Sequence, residues 1–266
     1  MKYKKKLFLV SIIINCHNGG TFLNKAVISI IKQTYNKWEI IFFNNNSTDK
    51  SEEIIKSFKD KRIKYYESKK YLTLYKARNE AIKKTKGKYI CFLDCDDWWD
   101  RNKIQLQIDK LEAENLNIIY SNYYLYSEKN KYKKLFYSTS LPSGYITKQL
   151  LKKYVIAISS TTIRANFLKK MLFNSKYEII GDFDFFIKSS IYNKILRIQK
   201  PLLYMRTHKK NFSLTRRDLH IYELNNWLND NCKLLQKNRI SLRYQKLYLY
   251  KLKLKNFINI FFKVNI

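Results

Sequence analysis

Apolar and polar positions form alternating blocks along the first hundred residues, and the blocks have two different periods. Short, uninterrupted apolar runs rich in β-branched residues predict buried strands. Apolar residues at three- and four-residue spacing between these runs predict helices. The predicted strands are Leu7–Asn15, Trp38–Phe43, Arg62–Glu67 and Tyr89–Leu93, and the helices cover residues 22–31, 54–58 and 77–86. This order predicts an α/β fold with a mostly parallel central sheet flanked by helices.

The second half of the chain has a less regular pattern. Strands are predicted at Leu116–Tyr126, Ala157–Ile163 and Ile195–Met205, with a helix that carries Phe185 and Phe186 before the last of them. From Arg216 onward the sequence predicts basic helices. Two local expectations accompany the pattern: Asp49 or Ser51 caps the second helix, and Gly87 ends the third.

Polar clusters follow three of the predicted strands. They are Asn15–Asn18, Asn44–Asp49 and Asp94–Asp97. Ligands of open α/β sheets bind at the carboxyl ends of the strands, where all three clusters would meet. The sequence therefore predicts a ligand site at this edge of the sheet.

Net charge adds an open alternative. The 266 residues include 53 Lys and Arg against 21 Asp and Glu, a formal net charge of +32. Such a charge suits an anionic partner: nucleic acid, an anionic membrane face or a phosphorylated substrate. An AT-rich genome would also produce it, since Lys, Asn, Ile, Tyr and Phe all abound. Charge alone leaves both interpretations open.

Cysteines and the chain's beginning indicate a cytosolic protein. Four cysteines without a C-x-x-C pair are typical of a reducing compartment. No cleavage site follows the short apolar segment Leu7 to Ile14, and no apolar run approaches the ~20 residues that span a bilayer. The basic, aromatic C-terminal segment could lie on an anionic membrane, or it could pack as a helix with a solvated basic face.

Asp94 and Asp96 are candidate metal ligands because they directly follow a buried strand. Hard cations such as Mg²⁺ take one or two carboxylates together with phosphate oxygens. The pair therefore suits a divalent metal that carries a nucleotide diphosphate. A solvated acidic turn would give the same spacing.

The segments around these clusters resemble glycosyltransferase family 2, whose members are inverting enzymes with the GT-A (Rossmann-like) fold. The resemblance begins at "VSIIINCHNGGTF" and continues in "FFNNNSTDKS", "KARNEAIKKTKGKYICFLDCDD", "WWDRNKIQLQI", "GDFDFF" and "PLLYMRTHKKNFS". These motifs occur in the expected order over roughly residues 8–213. The resemblance implies a nucleotide-sugar-binding half at 1–115, an acceptor-binding half of the same domain at 116–215, and a helical basic extension at 216–266.

The resemblance also implies a role for individual residues. Asp182 would be the general base, Asp96 a metal ligand, and Asp94 a contact to the metal or the nucleotide ribose. His208 would lie by the diphosphate or the metal. The nucleotide would be bound by Asn18, Asn44, Asn45, Asn46 and Arg78.

Each role has a simpler alternative. Asp182 could cap a helix that begins near Phe183, Arg78 could pair with a surface acid such as Glu80, and His208 could be an ordinary surface residue. Trp98 and Trp99 are expected to be packing residues rather than sugar platforms.

Two positions depart from the family pattern. Asn44 stands where the family usually has an aspartate that accepts a hydrogen bond from the base. An amide oxygen accepts without charge assistance, so we expect weaker nucleotide binding or a different base preference. Asn15 and Cys16 replace a Pro-Thr-type pair.

We therefore expect an inverting glycosyltransferase that uses manganese or magnesium. It would move a sugar from a UDP-sugar to a hydroxyl of a glycan or lipid-linked acceptor, at the cytoplasmic face of a bacterial membrane. The competing hypotheses are a basic nucleic-acid-binding protein and a catalytically degenerate scaffold. The acidic cluster lies where a nucleic-acid groove would run, so we expect no nucleic-acid partner.

Overall fold

The chain alternates strands and helices as its apolar pattern predicts. The computed structural model describes residues 7–208, 211 and 215–263, the last seven as backbone only. The strands are β1 (Val10–Cys16), β2 (Trp38–Asn44), β3 (Ile63–Glu67), β4 (Tyr89–Phe92), β5 (Trp98–Trp99), β6 (Ile118–Ser127), β7 (Tyr132–Leu135), β8 (Thr161–Arg164) and β9 (Ile195–Thr207). The helices are α1 (Gly20–Ile31), α2 (Ser51–Ser57), α3 (Leu74–Lys83), α4 (Lys103–Glu114), α5 (Thr147–Lys152), α6 (Ala165–Lys170), α7 (Gly181–Tyr192), α8 (Arg217–Lys237) and α9 (Arg243–Lys263).

One sheet runs through the described part of the chain in the order β3-β2-β1-β4-β8-β6-β9-β5. Strand β7 lies outside this order and pairs with β6. The pairs β1–β2, β2–β3, β1–β4 and β6–β9 are parallel. Strands β5, β7 and β8 run antiparallel to their neighbours. The mostly parallel sheet is as predicted, and its carboxyl edge gathers the ends of β1, β2 and β4.

Apolar side chains on the two faces of the sheet form two cores. Alternate residues of a strand point to opposite faces, so Ile12 and Ile40 pack in one core and Ile13 and Ile41 in the other. The second of these cores also contains Tyr75, on α3. The same core contains Leu224 and Trp227 of α8, so the C-terminal helices pack on the α3 side of the sheet.

Several predicted boundaries were wrong. Helix α3 covers Leu74–Lys83, rather than 77–86, and its C-cap is Lys84, not Gly87. The N-cap residue of helix α2 is Lys50, which makes no side-chain cap, but Asp49 Oδ1 accepts the Ser51 N–H in the first turn at 3.0 Å.

The predicted strand Ala157–Ile163 was wrong in its first half. A 3-10 turn at Ile158–Ser160 precedes the short strand β8. The Ser160 hydroxyl donates to the carbonyl of Ala157 at 2.6 Å, and the Thr161 hydroxyl donates to that of Ile158 at 2.7 Å. Such local bonds compete with a sheet ladder, which explains the turn.

The C-terminal segment is helical, as predicted. Helices α8 and α9 pack against each other, and α9 also contacts α5. None of the helices within the described residues is both long enough and apolar enough to cross a membrane.

Candidate active site

The ends of three parallel strands bring the predicted site loops together. In the β1–β2 register, Cys16 lies opposite Asn44. In the β1–β4 register, Ile13 lies opposite Phe92, and the Leu93 N–H continues the pairing by donating to the Ile13 carbonyl at 3.0 Å. The loop that begins at Asp94 therefore leaves the sheet beside the loops that follow β1 and β2.

Asp94 forms an ion pair with a buried arginine. The Arg78 Nη2 atom donates to Asp94 Oδ1 at 2.6 Å, and the Arg78 side chain is only 3% exposed. The Asp94 backbone N–H donates to the Ser159 hydroxyl at 3.1 Å. Arg78 therefore points from α3 into the acidic cluster, and its partner is not the surface acid Glu80.

His208 meets Asp96 across the sheet edge. The His208 Nε2 and Asp96 Oδ2 atoms are 3.0 Å apart, and Asn211 Nδ2 donates to the same oxygen at 3.3 Å. Burial and the neighbouring Asp94 charge raise the pKa of Asp96, and the hydrogen bond from His208 opposes this rise. A cation at this carboxylate would relieve the repulsion.

Asp97 is a structural member of the cluster. Its buried Oδ1 accepts the backbone N–H of Arg206 at 3.0 Å. The Arg206 Nε atom donates to the Asp96 carbonyl at 2.8 Å, and its guanidinium also pairs with Glu128. Arg206 thus ties the end of β9 to the loop after β4 and fixes where Asp96 lies.

Asp182 lies apart from the acidic cluster Asp94–Asp97, in the first turn of α7. Its Oδ1 accepts the Tyr75 hydroxyl at 3.0 Å and the Phe183 N–H at 2.8 Å. Burial raises the pKa of Asp182, while the positive charge of Arg78 and these two hydrogen bonds counteract the rise. Because the charge of Arg78 acts on Asp182 as well as on Asp94, the arginine links the two parts of the site.

The asparagines after β2 shape their own loop. Asn44 Oδ1 accepts the Ser47 N–H and Asn44 Nδ2 donates to the Tyr65 hydroxyl, both at 3.0 Å. Asn45 bonds the backbone of Leu72 on both sides, with Nδ2 to the carbonyl at 2.8 Å and Oδ1 from the N–H at 3.0 Å. The role of these residues in a nucleotide pocket stays a prediction.

Three further amides lie at this edge of the sheet: Asn15 near the end of β1, Asn18 in the loop after β1, and Asn46 in the loop after β2. Asn18 and Asn46 have left-handed backbone, with φ of 54° and 58°, and Asn18 Oδ1 accepts the Thr48 N–H at 2.8 Å. Asn15, at the end of β1, differs from both, since its buried amide nitrogen and oxygen have no hydrogen-bond partner among the described residues. The β1–β4 register ends at the pair Ile13 and Phe92, two residues before Asn15 and Asp94. A buried amide without a partner is expected at a site that receives a ligand.

The site fits a metal that arrives with phosphate rather than a preformed metal cage. Within the described parts of the chain, no three His, Cys, Asp or Glu side chains are grouped to hold an ion. Asp96, Asp94 and His208 nevertheless offer hard oxygen and imidazole donors at one edge. Mg²⁺-type sites usually complete such sparse protein ligation with substrate phosphates and water.

Some of these residues escaped sequence reasoning. Tyr75 and Arg206 had no assigned role, since an isolated tyrosine or arginine carries no motif. Asn15 was noted only within the polar cluster Asn15–Asn18 and as a departure from the family pattern. Trp98 and Trp99 pack as expected: Trp98 stacks on Tyr204 with ring centroids 5.1 Å apart, and Trp99 is buried.

Comparisons with known proteins agree with this geometry. The sequence model described as Glycosyl transferase family 2 matches residues 11–172. The chain belongs to glycosyltransferase family 2. An uncharacterized glycosyltransferase of Rickettsia bellii is 32% identical over 203 residues, which are 76% of this chain and 29% of that protein. The UDP-Glc:alpha-D-GlcNAc-diphosphoundecaprenol beta-1,3-glucosyltransferase WfgD of Escherichia coli is 35% identical over 116 residues, 44% of this chain and 46% of that protein. The chain thus spans less than half the length of either relative.

Solved structures share the fold of this family 2 chain. S. aureus TarS 1-349 in complex with UDP-GlcNAc has a TM-score of 0.66 at 14% identity, over 91% of this chain and 71% of that chain. The mannosyltransferase PcManGT from Pyrobaculum calidifontis, in complex with GDP-Man and Mn²⁺, has a TM-score of 0.66 at 12% identity, over 92% and 70%. The fold is of the GT-A type, as the motifs implied.

Proposed function

We propose that this chain is an inverting glycosyltransferase that moves a sugar from a nucleotide diphosphate to an acceptor hydroxyl. One observation carries the proposal: a carboxylate with a raised pKa, Asp182, is linked through Arg78 to the acidic motif at the carboxyl edge of the sheet. A direct displacement needs one base and one stabilised leaving group, and the two parts of the site would supply them.

Asp182 is the proposed general base. Both of its hydrogen bonds to Tyr75 and Phe183 end on Oδ1, so Oδ2 would take the proton of the acceptor hydroxyl. As the acceptor oxygen loses this proton, it would attack the anomeric carbon on the face opposite the diphosphate, and the bond between that carbon and the diphosphate oxygen would break. The raised pKa makes the carboxylate a stronger base than an exposed aspartate.

Asp96, Asp94 and His208 are the proposed residues that hold a divalent ion, manganese or magnesium. The bound ion would neutralise negative charge on the diphosphate. Arg78 orients Asp94 in this arrangement, and Arg206 fixes the backbone at Asp96. A Mn²⁺ ion in the complex of the structurally similar PcManGT supports this assignment.

The proposed donor is a UDP-sugar. UDP-Glc appears in the name of WfgD, and TarS 1-349 was solved with UDP-GlcNAc and with UDP. The buried amide of Asn15, which has no hydrogen-bond partner among the described residues, supports a ligand near the end of β1. Asn18, Asn44, Asn45, Asn46 and Arg78 remain the proposed nucleotide-side residues, with Asn44 as the position where base preference would change.

The proposed acceptor is a glycan or lipid-linked saccharide, and the proposed location is the cytoplasmic face of the membrane. The name of WfgD specifies a diphosphoundecaprenol acceptor. An enzyme that meets such an acceptor needs contact with a lipid surface. Helix α9 supports this contact because Leu247, Leu254 and Lys251 are exposed on the face opposite its buried residues Gln245 and Leu249.

Calorimetric titration with UDP, GDP and dTDP, each with and without manganese, tests the donor and metal assignments. We expect one nucleotide to bind in a metal-dependent manner. In Asp96→Asn this metal dependence should be lost. Asp60→Asn is the matched control, because Asp60 pairs with Arg62 before β3, at the opposite edge of the sheet.

Two results would contradict the proposal. If no nucleotide binds in the presence of manganese, the site is not a donor site. Binding to oligonucleotides that ignores divalent metal and weakens steeply with salt would favour the nucleic-acid interpretation instead.

A further inference from the structure

Helix α8 contacts the loop that leads into α7, the helix that carries the proposed general base Asp182. The family model ends at residue 172, so neither this helix nor the "GDFDFF" segment lies within the match. In the sequence, α8 belongs to a basic segment, and no motif marks its acidic residue Glu223. Its residue Glu223 is nevertheless buried, at 3% exposure.

Glu223 binds three consecutive backbone amides of the loop before α7. Its Oε1 accepts the N–H of Glu178 at 2.6 Å, and its Oε2 accepts those of Ile179 at 2.9 Å and Ile180 at 3.1 Å. Amide groups before a helix's first turn have no carbonyl partner within the helix. A carboxylate that accepts such groups makes charge-assisted bonds, which are stronger than neutral ones.

Trp227, one helical turn after Glu223, secures the start of α7 itself. Its indole Nε1 donates to Asp184 Oδ1 at 2.8 Å, and its ring lies 4.8 Å from the ring of Phe183. Asp184 also pairs with Lys188 at 2.7 Å. The residues on both sides of Asp182 are therefore held from α8.

Tyr75 closes the loop from the opposite side. A Cβ added to Gly181 would lie 2.4 Å from the Tyr75 ring, so the glycine allows the loop to pack directly on it. The Tyr75 hydroxyl donates to Asp182 and also lies 3.4 Å from the Ile179 carbonyl. The segment that ends at Asp182 is thus clamped between α3 and α8.

From these contacts we infer that Glu223 is a positioning residue: it anchors the loop at 178–180 and so sets where the Asp182 carboxylate meets the acceptor hydroxyl. The C-terminal extension would then be a structural part of the catalytic site, because it holds the loop before Asp182 in place. The inference rests on the proposed role of Asp182 as general base. Its structural part, the anchored loop, can be tested independently of any activity.

Hydrogen–deuterium exchange of the full chain tests the anchor. In Glu223→Gln, one carboxylate oxygen becomes an NH₂ group that faces amide donors. We expect exchange at residues 178–180 to accelerate by at least about tenfold, with no change in the peptide that contains β4. Asp230→Asn, an exposed acid two turns further along α8, is the matched control and should leave the loop unchanged.

Kinetics test the consequence for the base. The substrate is the nucleotide-sugar that the titration selects, and UDP release reports transfer of its sugar to acceptor or water. In Glu223→Gln the kcat of this reaction should fall about 10- to 100-fold, while the Kd for UDP stays unchanged. A merely structural defect would also weaken UDP binding. Trp227→Phe keeps an aromatic ring but removes the indole N–H together with one of the two fused rings. It is the second variant if Glu223→Gln folds poorly, and it should show a weaker form of the same pattern.

The outcomes separate the two levels of the inference. Unchanged exchange at 178–180 in both variants would show that α8 does not anchor the loop. Faster exchange with unchanged kcat would show that the anchor does not position the base. If the wild-type chain binds nucleotide but transfers no sugar, the proposed function fails, and the role of Glu223 toward a base fails with it, whereas the exchange result still decides the anchor.

Discussion

Burial gives Asp182 a raised pKa, and the same burial makes its ionised form costly to the fold. A group whose folded pKa is raised contributes stability below its unfolded pKa, and that contribution is lost as the pH rises through the folded pKa. Above the folded pKa, the ionised Asp182 therefore lowers the free energy of unfolding relative to the protonated form. A carboxylate that only capped α7 would show the opposite sign.

Tyr75→Phe should move the acid limb of the kcat profile to higher pH. The base must be ionised to accept a proton, so activity falls as the pH drops through its pKa. The Tyr75 hydroxyl lowers this pKa by donating to Asp182 Oδ1, and its removal raises the pKa further. The ring stays packed on Gly181, so the loss of stability should be only about 1 kcal/mol. A kcat profile measured against pH, with UDP-sugar saturating, decides the direction.

Asp182→Asn is the control for this prediction. Asparagine can still accept the bonds from Tyr75 and Phe183, but it cannot take a proton, so kcat should fall by about 10²- to 10⁴-fold. Stability at neutral pH should be retained or raised, because the costly charge is gone. An acid limb in Tyr75→Phe that moves to lower pH would contradict Asp182 as the titrating base.

Residue roles were predictable where a motif carried them. His208 lies 112 residues after Asp96 in the sequence, and the structure brings the two side chains to 3.0 Å of each other. Glu223 was not predictable, because its partners are backbone amides, which leave no trace in the sequence. The same holds for Arg206, whose bonds to the acidic loop end partly on main-chain atoms.

Strands and helices were predictable where the run of apolar residues that defines their period was long. β1, β2 and β4 follow the predicted runs within a few residues, since these strands are buried on both faces. β5 has only two residues and pairs with β9 a hundred residues later, so no local period could reveal it. The 3-10 turn before β8 depends on hydroxyl bonds that override a strand-like composition.

Gly87→Ala should destabilise the junction between α3 and the sheet. Gly87 does not cap α3, and a Cβ there would lie 2.6 Å from the Ser11 nitrogen and 2.8 Å from the Leu9 carbonyl oxygen. Backbone atoms of a central strand cannot easily move away. We expect the free energy of unfolding to fall by about 1–3 kcal/mol, measured by urea denaturation.

Lys86→Ala is the neighbouring control for Gly87→Ala. The Lys86 side chain is exposed, so its removal should change stability by less than about 0.5 kcal/mol. Equal stability of Gly87→Ala and the wild type would mean that β1 shifts freely, which is at odds with the hydrogen bond from the Gly87 N–H to the Ser11 hydroxyl.

At the scale of the whole molecule, a chain with a formal net charge of +32 contains a site with several carboxylates. An anionic donor would be attracted to this charge over long range, and so would an anionic lipid surface. Charge alone cannot separate these partners. Helix α9 can, because its exposed apolar side chains would contribute to lipid binding but not to donor binding.

A double substitution, Leu247→Ser with Leu254→Ser, should weaken binding to vesicles that contain phosphatidylglycerol. These leucines are 48% and 46% exposed on the face of α9 turned away from the protein. Each lost insertion of a leucine should cost about tenfold in partitioning. Leu106→Ser is the matched control, since Leu106 is an exposed leucine on α4. Cosedimentation at low and high salt measures the effect. If salt releases the protein while the double variant binds as the wild type does, the dispersed lysines hold it, and α9 is not the contact. If the variant loses binding and keeps its affinity for UDP, α9 forms a lipid contact separate from the donor site.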